Sequence, residues 1–230
     1  IDKLLEYLLE TDASQLSDCS ITFDNGAEAG GTKRTVTVDD ITYTGGNNQW
    51  SNPANWNSGK IPTQLQNVRI EANCIVSGKT YGAGNIRIKD GNTLTIAPNG
   101  GLASVGKFGV YTGTNWNTPS NIADTKYITV QANKDSTGML MHSHTDRLAA
   151  TVEMYSPAYY EGGKVTDGHE RIWSYVAIPV QEGTVPQIFN GAYTYLWSEA
   201  GGWIRYTDGS TFHAFDGIAL SQSLPQTFTF

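Results

Sequence analysis

Pairs of apolar residues two positions apart recur along one stretch of this chain, and they leave few folds open to it. Val68 and Ile70, Ile86 and Ile88, Leu94 and Ile96, then Ile128 and Val130 would each place two branched side chains on one side of an extended backbone. Asn-Gly, Asp-Gly and Gly-Gly steps between them cut the strands short. Val68 and Ile86 lie 18 residues apart, close to one coil of a β-solenoid. Such coils bury an apolar stack and turn on small polar residues. The repeat is irregular, so a few coils are expected rather than a long array. A meandering antiparallel sheet gives similar alternation and stands as the alternative.

Three segments follow from this. Residues 1–44 open on the one clear helix, with Ile1, Leu4, Leu5, Leu8 and Leu9 on one face. Two alternating strands, "CSITF" and "RTVTVDDITYT", come next, and the segment can cap the open solenoid end, which otherwise leaves unpaired edges. Residues 45–150 form the solenoid-like segment, with 106–124 as a surface loop. Residues 151–230 hold most of the aromatics. There "AYTYLW" and "GGWIRY" flank "SEAGG", a hairpin pattern, and "IWSYVAIPV", "GIALSQ" and "QTFTF" add three strands. The expected fold class is therefore all-β: a short β-solenoid or β-helix-like segment plus an antiparallel β-sandwich, with one short N-terminal helix. Because the chain stops on "TFTF" inside a strand pattern, the sandwich is expected to continue beyond it or to pair its last strand with more chain.

Composition agrees with this. Charged residues make up 16% of the chain and glycine occurs 25 times, the balance of an all-β protein rich in tight turns. A net charge of −7 argues against nucleic acid, which calls for a basic patch. No apolar run reaches the roughly 18 residues that insertion into a bilayer needs. The chain opens directly on "IDKLLEYLLE", which fits a processed protein or a piece of a longer one. Cys19 and Cys74 match no metal spacing; Cys74 reads as a buried thiol, with a Cys19–Cys74 disulfide as the alternative.

The segment "NNQWSNPANWNSGKIPTQ" places Trp50 and Trp56 six residues apart in a loop-like context. Read with the strands after it, it is the opening turn of the solenoid. Pro53 and Pro62 set its corners, Asn52 and Asn55 bond their own backbone, and the two indoles plug the first coil. Both rings are therefore expected to be buried; a sugar platform facing water is the alternative.

Trp50, Pro53, Asn55, Trp56, Gly59, Pro62 and Thr63 also carry a resemblance, continued by Val68, Ile70, Gly91, Leu94 and Ile96. Together they resemble a segment of large secreted and outer-surface proteins of Bacteroidota, roughly W-x-x-P-x-N-W, a Gly, a Pro-Thr pair and two short apolar strands. The second half looks like a module that often follows it: a Ser-Thr-Gly-x-Leu step at 136–140, a W-x-Y-x-x-x-P-V strand at 173–180, an aromatic hairpin and a strand at 217–220. The resemblance runs from about 45 to 230 and its motifs are structural. It implies an extracellular or outer-surface location and work as a stalk or adhesive unit. Residues 1–44 have no counterpart in it.

Catalytic constellations are sparse. A polysaccharide-active β-helix enzyme needs clustered carboxylates on one solenoid face, yet Glu71, Asp90, Asp124 and Asp135 do not recur at coil spacing. His142, His144 and Asp146 stand at i, i+2 and i+4 and are the metal candidates, but same-face Cβ atoms about 6.5–7 Å apart on one strand rarely close a tetrahedron. A solvated polar face is the favoured reading, and no cofactor is expected. The main functional alternative is carbohydrate binding through exposed aromatics: Trp116, Tyr159, Tyr160, Trp197 and Trp203. Trp197 and Trp203 can meet as a cross-strand pair. The expected function is a non-catalytic structural or adhesive module. Its expected partners are neighbouring domains of a longer chain, cell-surface glycans, or copies of itself through edge strands.

Overall fold

A computed structural model describes residues 20–23, 34–37, 40–145, 147–157, 173–178, 180–184, 189, 191–207, 209–222 and 224–230, with only the backbone at 20–23, 34–37 and 182–184. The expected helix at 1–10 and Cys19 lie outside the described residues. The chain is all-β and divides into two compact units, Ile1–Thr129 with Gly138–Ala150, and Val130–Thr137 with Thr151–Phe230.

In the first unit β1 (Ser20–Phe23) and β2 (Arg34–Thr37) form an antiparallel pair. The solenoid follows as β3 (Ile41–Tyr43), β4 (Val68–Ile70), β5 (Cys74–Val76), β6 (Thr80–Ala83), β7 (Ile86–Lys89), β8 (Leu94–Ile96), β9 (Gly101–Ser104), β10 (Phe108–Tyr111), β11 (Ile128–Val130) and β12 (Met139–His142). One face is the parallel sheet β3–β4–β7–β10, a second holds β5, β8 and β11, and a third is the parallel sheet β6–β9–β12. Three coils, β4–β5–β6, β7–β8–β9 and β10–β11–β12, take one strand from each face, β3 adds a strand to the first face alone, and the parallel pairing decides for the solenoid against the meander. Ile41, Val68, Ile86 and Phe108 stack in register on the first face, and Cys74 on Leu94 and Val76 on Ile96 on the second, all buried. Each such side chain contributes about 1.5–3 kcal/mol by leaving water.

Asparagines tie the coils at their corners. Asn67 Oδ1 accepts from the backbone and side-chain N–H of Asn85 at 3.1 and 3.0 Å, and Asn85 Oδ1 accepts from the Lys107 N–H at 2.7 Å. Asn85→Ala should therefore cost about 1–3 kcal/mol in urea unfolding. Asn85→Asp keeps the acceptor for Lys107 and loses the donor to Asn67, so its cost should fall between.

Two expectations change. The stretch "RTVTVDDITYT" is two strands, not one: β2 pairs with β1, whereas β3 joins the solenoid ladder ahead of residue 45. The stretch 106–124 is not all loop, because β10 lies in it. Gly109 hides that strand's alternation, and a Cβ there would come within 2.6 Å of Pro119.

The first sheet's outer edges are closed by the chain's own loops, which blunts edge-to-edge association. Trp56 bridges Tyr43 beside β3, and Ser120 bridges Val110 beside β10. The opening turn is held by Asn52, whose side chain caps a 3₁₀ turn at Pro53–Asn55. Asn55 does not bond its own backbone as expected. Its buried amide donates to Asn47 Oδ1 (2.7 Å), the Gln49 carbonyl (2.8 Å) and the Tyr43 hydroxyl (3.3 Å). Pro62 is buried as well. Trp50 and Trp56 are 0% and 3% exposed and meet edge to face at 4.8 Å. Cys74 is a free buried thiol, and burial pushes its pKa up.

The second unit contains β13 (Thr151–Ser156), β14 (Ser174–Ala177), β15 (Glu182–Thr184), β16 (Tyr193–Ser198), β17 (Gly202–Tyr206), β18 (Thr211–His213), β19 (Gly217–Ser221) and β20 (Gln226–Thr229). Antiparallel pairing joins β13 to β20, β15 to β18 and the four strands in the order β14–β19–β16–β17. Its core joins Phe228 and Met154 from one pair to Ile218, Leu220, Val176 and Leu196 from the four-stranded sheet, with Phe189 and Phe212 among them. The terminal "TFTF" is thus packed through Phe228 and paired with β13.

Candidate functional site

Alternation in the four-stranded sheet sends Val176, Ile218, Leu220 and Leu196 to the core, so their neighbours face the other way. Register puts Tyr175, Ala219, Tyr195 and Arg205 in one row across that opposite face. Trp197 pairs directly with Trp203 in a neighbouring row. Trp173, immediately before β14, shares the face by parity.

Ala219 has no side chain beyond its Cβ, so it leaves a low point between large rings. Trp173 meets Tyr195 edge to face at 5.5 Å and 82°, and Tyr175 lies 5.8 Å from Trp203. Trp173, Tyr175, Tyr195, Trp203 and Ala219 line a cleft of about 240 Å³. Trp197 buttresses it, 5.3 Å from Trp203, with its indole N–H donated to Glu199 Oε1 at 3.0 Å. Tyr175, Trp197 and Trp203 remain 70%, 48% and 46% exposed. A concentration of large exposed rings is uncommon on a soluble surface and marks binding sites. Aromatic faces can stack on the C–H faces of a sugar ring, while the phenol and indole edges hydrogen-bond its hydroxyls.

The other sequence candidates fare differently. Trp116 is half-buried beside the solenoid's first sheet, and two guanidiniums hold it: Arg69 and Arg87 lie 4.7 and 5.6 Å from its ring centroid. It is not brought into the cleft. His142 closes β12, one edge of the third sheet, with its ring against Phe108, and His144 stacks on it at 6.1 Å. Among the described residues no three His, Cys, Asp or Glu side chains gather to hold a metal ion. Tyr159, Tyr160 and Asp146 lie outside the described residues. Sequence inspection missed Trp173, Tyr175, Tyr195 and Ala219; the alternation of "WSY" and "YTY" was visible, but their shared face depends on pairing between distant strands.

The solenoid's carboxylates are engaged in structural bonds. Glu71 accepts from the Tyr111 hydroxyl at 2.9 Å, and Asp124 caps a 3₁₀ turn and pairs with Lys126 at 3.1 Å. Asp90 accepts from the Tyr127 hydroxyl at 2.6 Å, which holds its pKa below the usual carboxylate value. Among the described residues no helix is long and apolar enough to cross a membrane.

Fold and face together define a class, a parallel β-solenoid followed in the chain by an antiparallel module with an aromatic outer face. Beyond that class, no family model, curated protein or solved structure matches the chain.

Proposed function

We propose that this chain is a non-catalytic adhesive module of a secreted or outer-surface bacterial protein, and that its second unit binds carbohydrate. The observation that carries the binding role is the cleft over Ala219, walled by Trp173, Tyr175, Tyr195 and Trp203. Its described lining has the large ring faces that pyranose stacking uses and no carboxylate pair for glycoside hydrolysis. The solenoid serves as a spacer. Its continuous apolar stacks and engaged carboxylates fit that role better than catalysis.

Retention on a panel of immobilised glycans tests this, followed by affinity measurement on the best ligand. Trp203→Ala should weaken binding about tenfold or more with the fold intact. Trp116→Ala should leave binding unchanged, because that ring sits against Arg69 and Arg87 instead of the cleft. Retention that survives Trp203→Ala would sink the cleft as the site.

A further inference from the structure

The face that carries the cleft also carries a cation. Arg205 stands directly opposite Tyr195, one wall of the cleft, and two residues along β17 from Trp203, another wall. Same-face positions two apart on a strand are about 6.5–7 Å apart at Cβ. The guanidinium leans over Tyr193, on the side of Tyr195 away from Trp197, so it stands at the rim of the cleft, where a substituent of a stacked sugar can meet it. The Arg205 side chain is exposed, and its guanidinium lies 5.5 Å from the Tyr193 ring centroid. No described carboxylate pairs with it. Asp208, the acid nearest in sequence, lies outside the described residues, and Glu199 on the other side accepts the Trp197 indole N–H. The face therefore joins ring-stacking surface to a guanidinium held beside it by a tyrosine.

We propose that the glycan bound in this cleft is acidic: a sugar bearing a carboxylate or sulfate, its ring stacked in the cleft and its anionic group on Arg205. This rests on the carbohydrate-binding proposal and adds the ligand's charge class. A planar guanidinium donates two parallel N–H hydrogen bonds to the oxygens of either group, and the geometry discriminates against neutral sugars, which offer it only hydroxyls. In a chain of net charge −7, a cation on the binding face also counters the repulsion an acidic polymer would otherwise meet.

Titration calorimetry with three probes tests this: an oligogalacturonate, a sulfated galactan oligomer and cellohexaose. The proteins are the whole chain, Arg205→Gln, Arg205→Lys and Trp203→Ala, each checked for an unchanged thermal transition. At least one acidic probe should bind about tenfold or more tighter than cellohexaose, weaken with added salt, and lose that advantage in Arg205→Gln. Arg205→Lys should recover part of it. The probe that binds, uronate or sulfate ester, identifies which anionic group is read. Equal binding of cellohexaose and both acidic probes, unaffected by Arg205→Gln but lost in Trp203→Ala, would overturn the charge assignment and leave the cleft standing as a neutral-sugar site. No binding of any of the three by the whole chain would overturn the charge assignment; failure across the wider glycan panel as well would overturn carbohydrate binding.

Discussion

Trp50→Ala should destabilise the solenoid by about 3–5 kcal/mol, the cost of removing a large, fully buried aromatic. The indole is 0% exposed and packs against Trp56 at 4.8 Å and Tyr81 at 6.4 Å. Trp56 in turn meets Tyr43 at 5.1 Å, so the ring closes a run of aromatics at the first coil. Collapse into the hole is restricted, because Asn55 and the Trp56–Tyr43 bridge hold the surrounding loop. Phenylalanine replacements separate packing from hydrogen bonding. The Trp50 indole N–H has no acceptor among the described residues, whereas Trp56 Nε1 donates to the Trp50 carbonyl at 2.8 Å. Trp56→Phe should therefore cost more than Trp50→Phe, by about 1 kcal/mol for the orphaned carbonyl. Urea unfolding followed by far-ultraviolet circular dichroism reads all three; a Trp50→Ala cost below about 1 kcal/mol would contradict the plug role.

Gly100→Ala should cost about 3 kcal/mol for a different reason. A Cβ on Gly100 would fall 2.1 Å from the Val76 carbonyl oxygen and 2.8 Å from its carbon, both backbone atoms of the adjacent coil. That carbonyl is fixed by the Ala97 N–H at 2.9 Å and cannot swing aside as a side chain would. Relief would come only by parting the coils, which strains the bonds from Gly101 N–H to Lys79 and from Met139 N–H to Gly100. Gly91→Ala is the control: its φ of +87° costs backbone strain of about 1–2 kcal/mol, but nothing lies within 4 Å of the added carbon. Thermal melting should rank Gly100→Ala below Gly91→Ala; the reverse order would show that the coils can part without penalty.

Legibility varied from face to face. The 18-residue step is present as Asn67 to Asn85 and Val68 to Ile86, because interior aliphatics and corner asparagines repeat together. The third face left almost no trace. Gly82, Ala83, Gly101 and Ala103 carry little hydropathy, and Ser104 is buried by donating its hydroxyl to the Gly84 carbonyl at 2.8 Å. Two of these residues must be small: a Cβ on Gly82 would lie 2.4 Å from the Gln64 side chain, and one on Gly101 2.4 Å from Thr80. Close coil packing thus erased the pattern that would have announced the strands. On the candidate site, the Trp197–Trp203 pair was visible because a short hairpin sets its own register. Its companions were not, since β14 and β19 are separated by about forty residues and a one-residue slip would turn every ring to the other face.

The sequence by itself determined that this chain is all-β, the 18-residue step from Val68 to Ile86, where the hairpin turns, and that Trp50 and Trp56 belong inside. These are local matters: alternation, turn residues and the cost of leaving an indole in water. Only the tertiary structure decided that the coil strands run parallel, that Trp56 and Ser120 close the first sheet's edges, that Trp116 goes to two arginines, and that four rings and Arg205 share one face. Alternation says which side of a strand is apolar but not which strand lies beside it. That choice is made by packing and register between residues far apart in the chain.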